Sequence, residues 1–178
     1  MRKLKLDELN RPDIESYKKT DKKPIVLVLD NIRSMHNVGS VFRTADAFLV
    51  EKIALCGITA TPPNKEINKA ALGATESVEW EYHEKCSDLI QQLKEKGYHI
   101  VCLEQTDNSV LMQNFKFIPE EKYVFVLGNE VFGVDDNVIA LADTCVEIPQ
   151  FGTKHSLNVS VSAGIALWDY FLKSENGQ

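Results

Sequence analysis

The feature that most restricts this chain is a set of short runs that are apolar at nearly every position rather than at alternate ones. Ile25–Leu29 and Tyr123–Leu127 contain no break, and Lys52–Cys56, His99–Leu103 and Thr144–Ile148 come close. A strand that is apolar on both sides must be covered on both sides, which is the condition of a parallel sheet sandwiched by helices. Val78–Tyr82 supplies a further strand. Between the runs lie segments of helical spacing. Asn37–Phe48 places Val38, Val41, Phe42, Ala45 and Phe48 on one face; Ser87–Lys96 is capped by Ser87 and ended by Gly97. A short helix is expected near Asp135–Ala142 and a long one over Leu157–Leu172, while Thr59–Asn68, with Pro62, Pro63 and Asn64, reads as a loop. The alternation predicts an α/β domain: a mainly parallel sheet with helices on both faces.

The 178 residues suit one domain, divided into a short basic arm (residues 1–23) and the α/β unit (residues 24–178). In the arm, Leu4, Leu6 and Leu9 hint at a short helix. The arm holds eight Lys or Arg (Arg2, Lys3, Lys5, Arg11, Lys18, Lys19, Lys22, Lys23) against five Asp or Glu, while the whole chain carries −6. Total charge therefore argues against a protein that grips nucleic acid by bulk electrostatics, and leaves room for a local patch of phosphate contacts. No apolar stretch is long enough to span a bilayer, and the first residues lack the apolar core of a signal peptide, so a cytoplasmic protein without a membrane partner is expected. Cys56, Cys86, Cys102 and Cys145 form no C-x-x-C pair and no zinc spacing; reduced thiols packed as small apolar groups, and no metal, are expected.

In such sheets ligands sit outside the carboxyl ends of the strands, so the chemistry belongs just after Leu29, Leu103, Leu127 and Ile148. After Leu29, Asn37 is placed to cap a helix whose free N–H groups can receive an anion. Arg43, six residues on, is expected on the same side of its first half. After Leu127, Gly128 lets a ligand approach the backbone, and the Glu130 carboxylate can hold an arginine. After Ile148, the polar residues Ser156, Asn158, Ser160 and Ser162 alternate with Leu157, Val159 and Val161. Alternation suits a strand, yet the apolar pattern runs on at helical period to Phe171, so this segment is ambiguous.

Taken in order, these clusters resemble the three signature motifs of the SpoU (TrmH-like) family within the SPOUT methyltransferases. The match is close at Asn37-Val38-Gly39 with Arg43-Thr44-Ala45, at Gly128-Asn129-Glu130, and at Ser156-Leu157-Asn158-Val159-Ser160-Val161, and it extends from about Val26 to Tyr170. The resemblance implies an RNA ribose 2′-O-methyltransferase that uses S-adenosylmethionine (SAM) and releases S-adenosylhomocysteine. It also implies a C-terminal deep trefoil knot and a homodimer whose active site uses both subunits. Backbone groups near Leu103, Gly128, Ile148 and Leu157, with Ser156, would hold SAM. Asn37, Arg43, Glu130, Ser156 and Asn158 match the active-site positions, with Arg43 at the methyl-transfer step and Glu130 locking Arg43 or orienting a loop. Val131 stands where the family often has glycine, and Gln150 where it often has methionine. The arm is short compared with the RNA-binding extensions of larger relatives.

RNA is the implied partner, tRNA first and ribosomal RNA second, with no DNA. A non-catalytic RNA-binding or assembly protein that keeps the fold is the competing reading, and the intact set of five residues argues against it. A generic nucleotide-binding α/β protein is a third reading, but dinucleotide and P-loop versions of it are weak because no G-x-G-x-x-G follows the first strand and no G-x-x-x-x-G-K-[ST] occurs. His36 and His155, beside motif residues, are candidates for RNA contact or a base. His83 and His99 are expected to be structural, and Trp80 and Trp168 to lie in the core or an interface.

Overall fold

The structure is a computed structural model and describes residues 1–176. Strands β1 (Lys23–Asp30), β2 (Val50–Cys56), β3 (Trp80–His83), β4 (Tyr98–Leu103), β5 (Val110–Leu111), β6 (Lys122–Leu127) and β7 (Thr144–Glu147) form one sheet. Their order is β3-β2-β1-β6-β4-β7-β5, and every pairing between these strands is parallel. The chain builds outward from β1 through β2 to β3, then crosses to the other side for β4. The strand order therefore reverses at β1 and β6, where a crevice opens at the strand mouths.

Register explains the two-sided burial. Ile53, Leu27, Phe125 and Val101 are neighbours across one row of the sheet. All four belong to a core shared with helices α2 (Met35–Ala47), α3 (Lys65–Ala71), α4 (Ala74–Ser77) and α7 (Val159–Asn176). The next row, Ala54, Val28, Val126 and Cys102, points the other way, into a core with α5 (Cys86–Glu95) and α6 (Asp136–Ile139). Continuous apolar runs thus become a sheet with helices on both faces, as expected. Cys56, Cys86 and Cys102 are buried free thiols, and Cys145 is partly buried.

Several local expectations need correction. Part of the expected Thr59–Asn68 loop is helical: Asn64 accepts hydrogen bonds from Glu66 and Ile67 backbone N–H and starts α3 at Lys65. Ser87 does not cap α5, which begins at Cys86 with no side-chain cap; the buried Cys86 draws the first turn one residue earlier. The ambiguous segment after Ile148 is coil as far as Asn158, whose Oδ1 accepts from Ser160 N at 2.8 Å before α7 takes over. Strand β5 and helix α4 had no periodic signal.

The arm is partly anchored. Helix α1 (Ile14–Lys19) sends Tyr17 into the core at 4% exposure, with the Lys22 ammonium 4.1 Å over its ring. Arg2 pairs with Glu8. Helices α2 and α3 approach so closely that a Cβ on Gly39 would overlap the Ile67 carbonyl oxygen and stand 2.7 Å from Ala70 Cβ. No helix of the described residues is long and apolar enough to cross a membrane.

Burial raises the Tyr17 hydroxyl pKa to about 12, and that oxygen has no hydrogen-bond partner among the described residues. Tyr17→Phe is therefore expected to leave stability unchanged or raise it by about 1 kcal/mol, since it deletes an unsatisfied group. Tyr17→Ala should cost roughly 3 kcal/mol through the cavity it opens. Denaturant unfolding of the two variants checks both.

Candidate active site

The exit of β1 is held by a residue that sequence reasoning passed over. Thr59 is 3% exposed; its hydroxyl donates to the Leu29 carbonyl at 3.0 Å and accepts from Ile32 N at 2.9 Å. This pins the turn from which α2 departs. Ser34, not Asn37, caps that helix, its Oγ accepting from Asn37 N at 3.2 Å. The helix starts before its apolar face does, which is why a cap placed just ahead of Val38 falls too late.

Asn37 has a different part. Its Nδ2 donates to Glu130 Oε1 at 3.1 Å, and its Oδ1 accepts from Asn158 Nδ2 at 3.1 Å. Glu130 also accepts from Arg33 N (2.9 Å) and Ser34 N (3.0 Å). One run of hydrogen bonds thus ties together the segments after β1, β6 and β7. The anion received ahead of α2 is the protein's own carboxylate, favourably placed at the positive end of a helix dipole. Burial alone would raise the Glu130 carboxyl, but the N–H groups of Arg33, Glu130 itself, Ser34 and the Asn37 amide outweigh it and hold it below the usual glutamate range.

The loop after β6 is folded back on itself. Asn129 and Gly133 exchange two backbone hydrogen bonds of 2.9 Å, and Asn129 Oδ1 accepts from Val131 N and Phe132 N. Gly128 is required by this return: a Cβ there would overlap Val134 N and Gly133 C. The expectation that Gly128 serves ligand approach is thus joined by a simpler need, close passage of the chain's own backbone.

Beside this loop, at the mouths of β4, β6 and β7, lies a cavity of about 560 Å³. Leu103, Gly128, Ile148, Ser156 and Leu157 all line it, together with Glu130 and Asn158. Asn129 of the second motif lines it too, as do Glu104, Phe132 and Glu147, not singled out from sequence. Glu104 follows directly on β4, so its position at a strand mouth was the available signal. Val131 and Gln150 are also in the wall, and His155 contributes, whereas His36 is exposed on α2. His99 is set between Thr144 Oγ1 and the rings of Phe115 and Tyr123, and His83 faces Glu81.

Asn37 does not line the cavity but is tied to it through Glu130 and Asn158, whereas Arg43 stands apart. It is exposed, does not line the cavity, and has no hydrogen bond or ion pair among the described residues. Glu130 holds backbone N–H groups instead, so of the two roles expected for it the structure brings about loop orientation and not an Arg43 pair. Six residues along an α-helix rotate a side chain by about 240°, which carries Arg43 away from the side Asn37 addresses. Beside it on the helix, Thr44 packs close to Gly164 of α7. Helix α7 exposes Val161, Trp168, Phe171 and Leu172, and the Trp168 and Phe171 rings stack at 5.6 Å.

A family model described as the SpoU rRNA methylase family matches residues 24–168. The chain is 34% identical over 144 residues to the 23S rRNA (guanosine-2′-O-)-methyltransferase RlmB of Neisseria meningitidis, covering 81% of this chain and 56% of that protein. It therefore spans little more than half the length of that relative. Its fold matches the crystal structure of the A. aeolicus TrmH/SpoU tRNA modifying enzyme with a TM-score of 0.80 at 26% identity, over 92% of this chain and 84% of that one. The AdoMet-bound rRNA methyltransferase of Sinorhizobium meliloti gives a TM-score of 0.77 at 26% identity, over 86% of this chain and 58% of that one.

Glu130→Ala is expected to lower stability by about 1 kcal/mol, a small value because water can reach the N–H groups it leaves behind. A glutamate whose carboxyl is depressed on folding contributes fully above about pH 4.3, and that contribution fades as the pH falls through the lowered value. Wild type should lose this component on acidification and Glu130→Ala should lack it. Unfolding curves collected from pH 7 to pH 3 measure the difference.

Proposed function

We infer that this chain, which belongs to the SpoU rRNA methylase family, transfers a methyl group from SAM to a ribose 2′-hydroxyl of RNA. The observation that carries the reading is the Asn158–Asn37–Glu130 series, which ties the first motif segment to the two that line one cavity. That cavity fits the cofactor: about 560 Å³ lies within the range of small-molecule sites. Leu103, Leu127, Val146, Ile148 and Leu157 offer an apolar bed for an adenine, and Glu104, Glu130 and Glu147 suit a cationic sulfonium. Backbone groups near Leu103, Gly128, Ile148 and Leu157, with the Ser156 hydroxyl, are the proposed holders. Bound SAM supplies a methyl group already activated on sulfur, so neither a metal nor a covalent enzyme intermediate is needed.

The chain's own residues then have to position and polarise. Ser156 and Asn158 orient the ribose or the methionine end of the cofactor, and Asn37 and Glu130 fix Asn158. Positioning of this kind is worth up to roughly 7–11 kcal/mol of barrier. A guanidinium does not give up its proton in a protein, so Arg43 serves as a fixed positive charge beside the developing 2′-alkoxide, while an RNA phosphate or water takes the proton. Since Arg43 is outside its own chain's cavity, it acts on the cavity of a second copy. The exposed apolar stripe on α7, next to the helix that bears Arg43, favours such a homodimer.

The reading includes the knot. Strand β7 lies between β4 and β5, which are joined by residues 104–109, as expected if the chain passes through that loop. The RNA is a tRNA or a ribosomal RNA, met in the cytoplasm, with Val131 and Gln150 shaping the substrate side of the cavity.

Incubating the protein with tritiated SAM and total RNA, followed by nucleoside analysis, should place the label in 2′-O-methyl nucleosides; label confined to bases, or absent, defeats the reading. Arg43→Lys keeps the charge but not the planar fork, and should lower kcat roughly 100-fold with SAM affinity unchanged.

A further inference from the structure

A second cavity, of about 570 Å³, opens at the mouth of β1 on the far side of the loop after β6. Asp30, Arg33, Ile58, Phe132, Asp135 and Asp136 are in its wall. It shares Asn129, Phe132 and Gly133 with the cavity already described, so a single turn of chain separates the two. That turn is held rigidly from both sides. Asn129 Nδ2 donates to the Asn31 carbonyl, Glu104 accepts from Val134 N at 3.0 Å, and the buried Asp30 carboxylate accepts from Asp135 N at 3.1 Å. At its tip the Phe132 ring stands 85% exposed. A large ring presented to water by a turn whose Asn129, Val131, Phe132 and Gly133 N–H groups are all bonded is a ready surface for something flat.

The polar groups around it divide into used and unused. Asp30 and Asn31 are consumed within the protein: Asn31 Nδ2 donates to Asp30, and Asn31 Oδ1 accepts from Ile58 N. Arg33 and Asp136 line the cavity, and neither the guanidinium nor the carboxylate has a partner among the described residues. A flat apolar face, one forked donor and one carboxylate acceptor match a nucleobase. Guanine satisfies both polar groups at once, with O6 and N7 accepting from an arginine and N1–H and N2–H donating to a carboxylate.

Covalent geometry points the same way. A base is attached at C1′, the neighbour of the ribose carbon that bears the 2′-hydroxyl. If that hydroxyl meets its methyl donor in the first cavity, the base must fall within one sugar's width of it, and the second cavity begins on the other side of the same turn of chain. We propose that the second cavity receives the guanine base of the nucleotide whose ribose is methylated, with Phe132 stacking on it and Arg33 and Asp136 reading its edges. The proposal rests on the methyl-transfer reading and adds a base-reading site to it.

The test uses the full chain, tritiated SAM and total RNA, with wild type compared to Phe132→Ala, Phe132→Trp and Asp136→Asn. Label should appear as 2′-O-methylguanosine. Phe132→Ala should raise KM for RNA roughly 5- to 100-fold, the span expected for one lost stacking contact. Phe132→Trp should restore the RNA value, and Asp136→Asn, at a residue outside the SAM cavity, should admit other nucleosides without moving KM for SAM. Label spread evenly over four nucleosides, an RNA KM indifferent to both Phe132→Ala and Asp136→Asn, or a SAM KM that rises in Asp136→Asn would each overturn the assignment. If wild type methylates no RNA at all, the methyl-transfer reading fails, and equilibrium dialysis of labelled GMP against UMP then judges the cavity by itself. Saturable GMP binding that weakens at least about 5-fold in Phe132→Ala supports a guanine site; equal binding of the two nucleotides, or none, refutes it.

Discussion

Burial of the sheet on both faces is the constraint from which the rest of this structure follows. Rows such as Ile53–Leu27–Phe125–Val101 and Ala54–Val28–Val126–Cys102 leave no solvated side for a polar group to occupy. Hydrogen-bonding chemistry is therefore displaced to the ends of the strands, where backbone groups are no longer paired in a ladder. The reversal of strand order at β1 and β6 spreads those ends apart and makes room for the cavities.

What happens at the strand mouths is governed by satisfaction of backbone groups as much as by ligand needs. Glu130 receives Arg33 N and Ser34 N, Thr59 bridges Leu29 and Ile32, and Asn129 closes its own turn. These contacts join loops that are nearly a hundred residues apart in sequence. A polar network in which every member is paired fixes one geometry, and it does so here without help from a metal or a disulfide among the described residues.

The central elements are legible in the sequence because apolar runs and helical periods are long enough to signal them. Strand β5, of two residues, carries no period, and α3 is masked because its start signal, Asn64, sits directly behind Pro62 and Pro63. At the site, residue types and their strand-end locations are legible, and Leu103, Gly128, Ile148, Ser156 and Leu157 do meet at one cavity. Which partner each side chain takes is not. Pairings such as Asn37 with Asn158 depend on tertiary placement that no local pattern encodes, and the facing of Arg43 depends on a helical rotation that simple spacing along the chain conceals.

The place of β7 has a consequence for the order in which the molecule can be completed. Strand β5 pairs only with β7 among the described strands, and β4 needs β7 to cover one of its two edges. Until residues 144–147 arrive, a chain emerging from the ribosome has an open gap in its sheet, one edge available to other chains, and no floor beneath the cavity. Competence is thereby deferred until β7 has been made: a partial product without it cannot assemble the strand mouths, however well its earlier strands have paired.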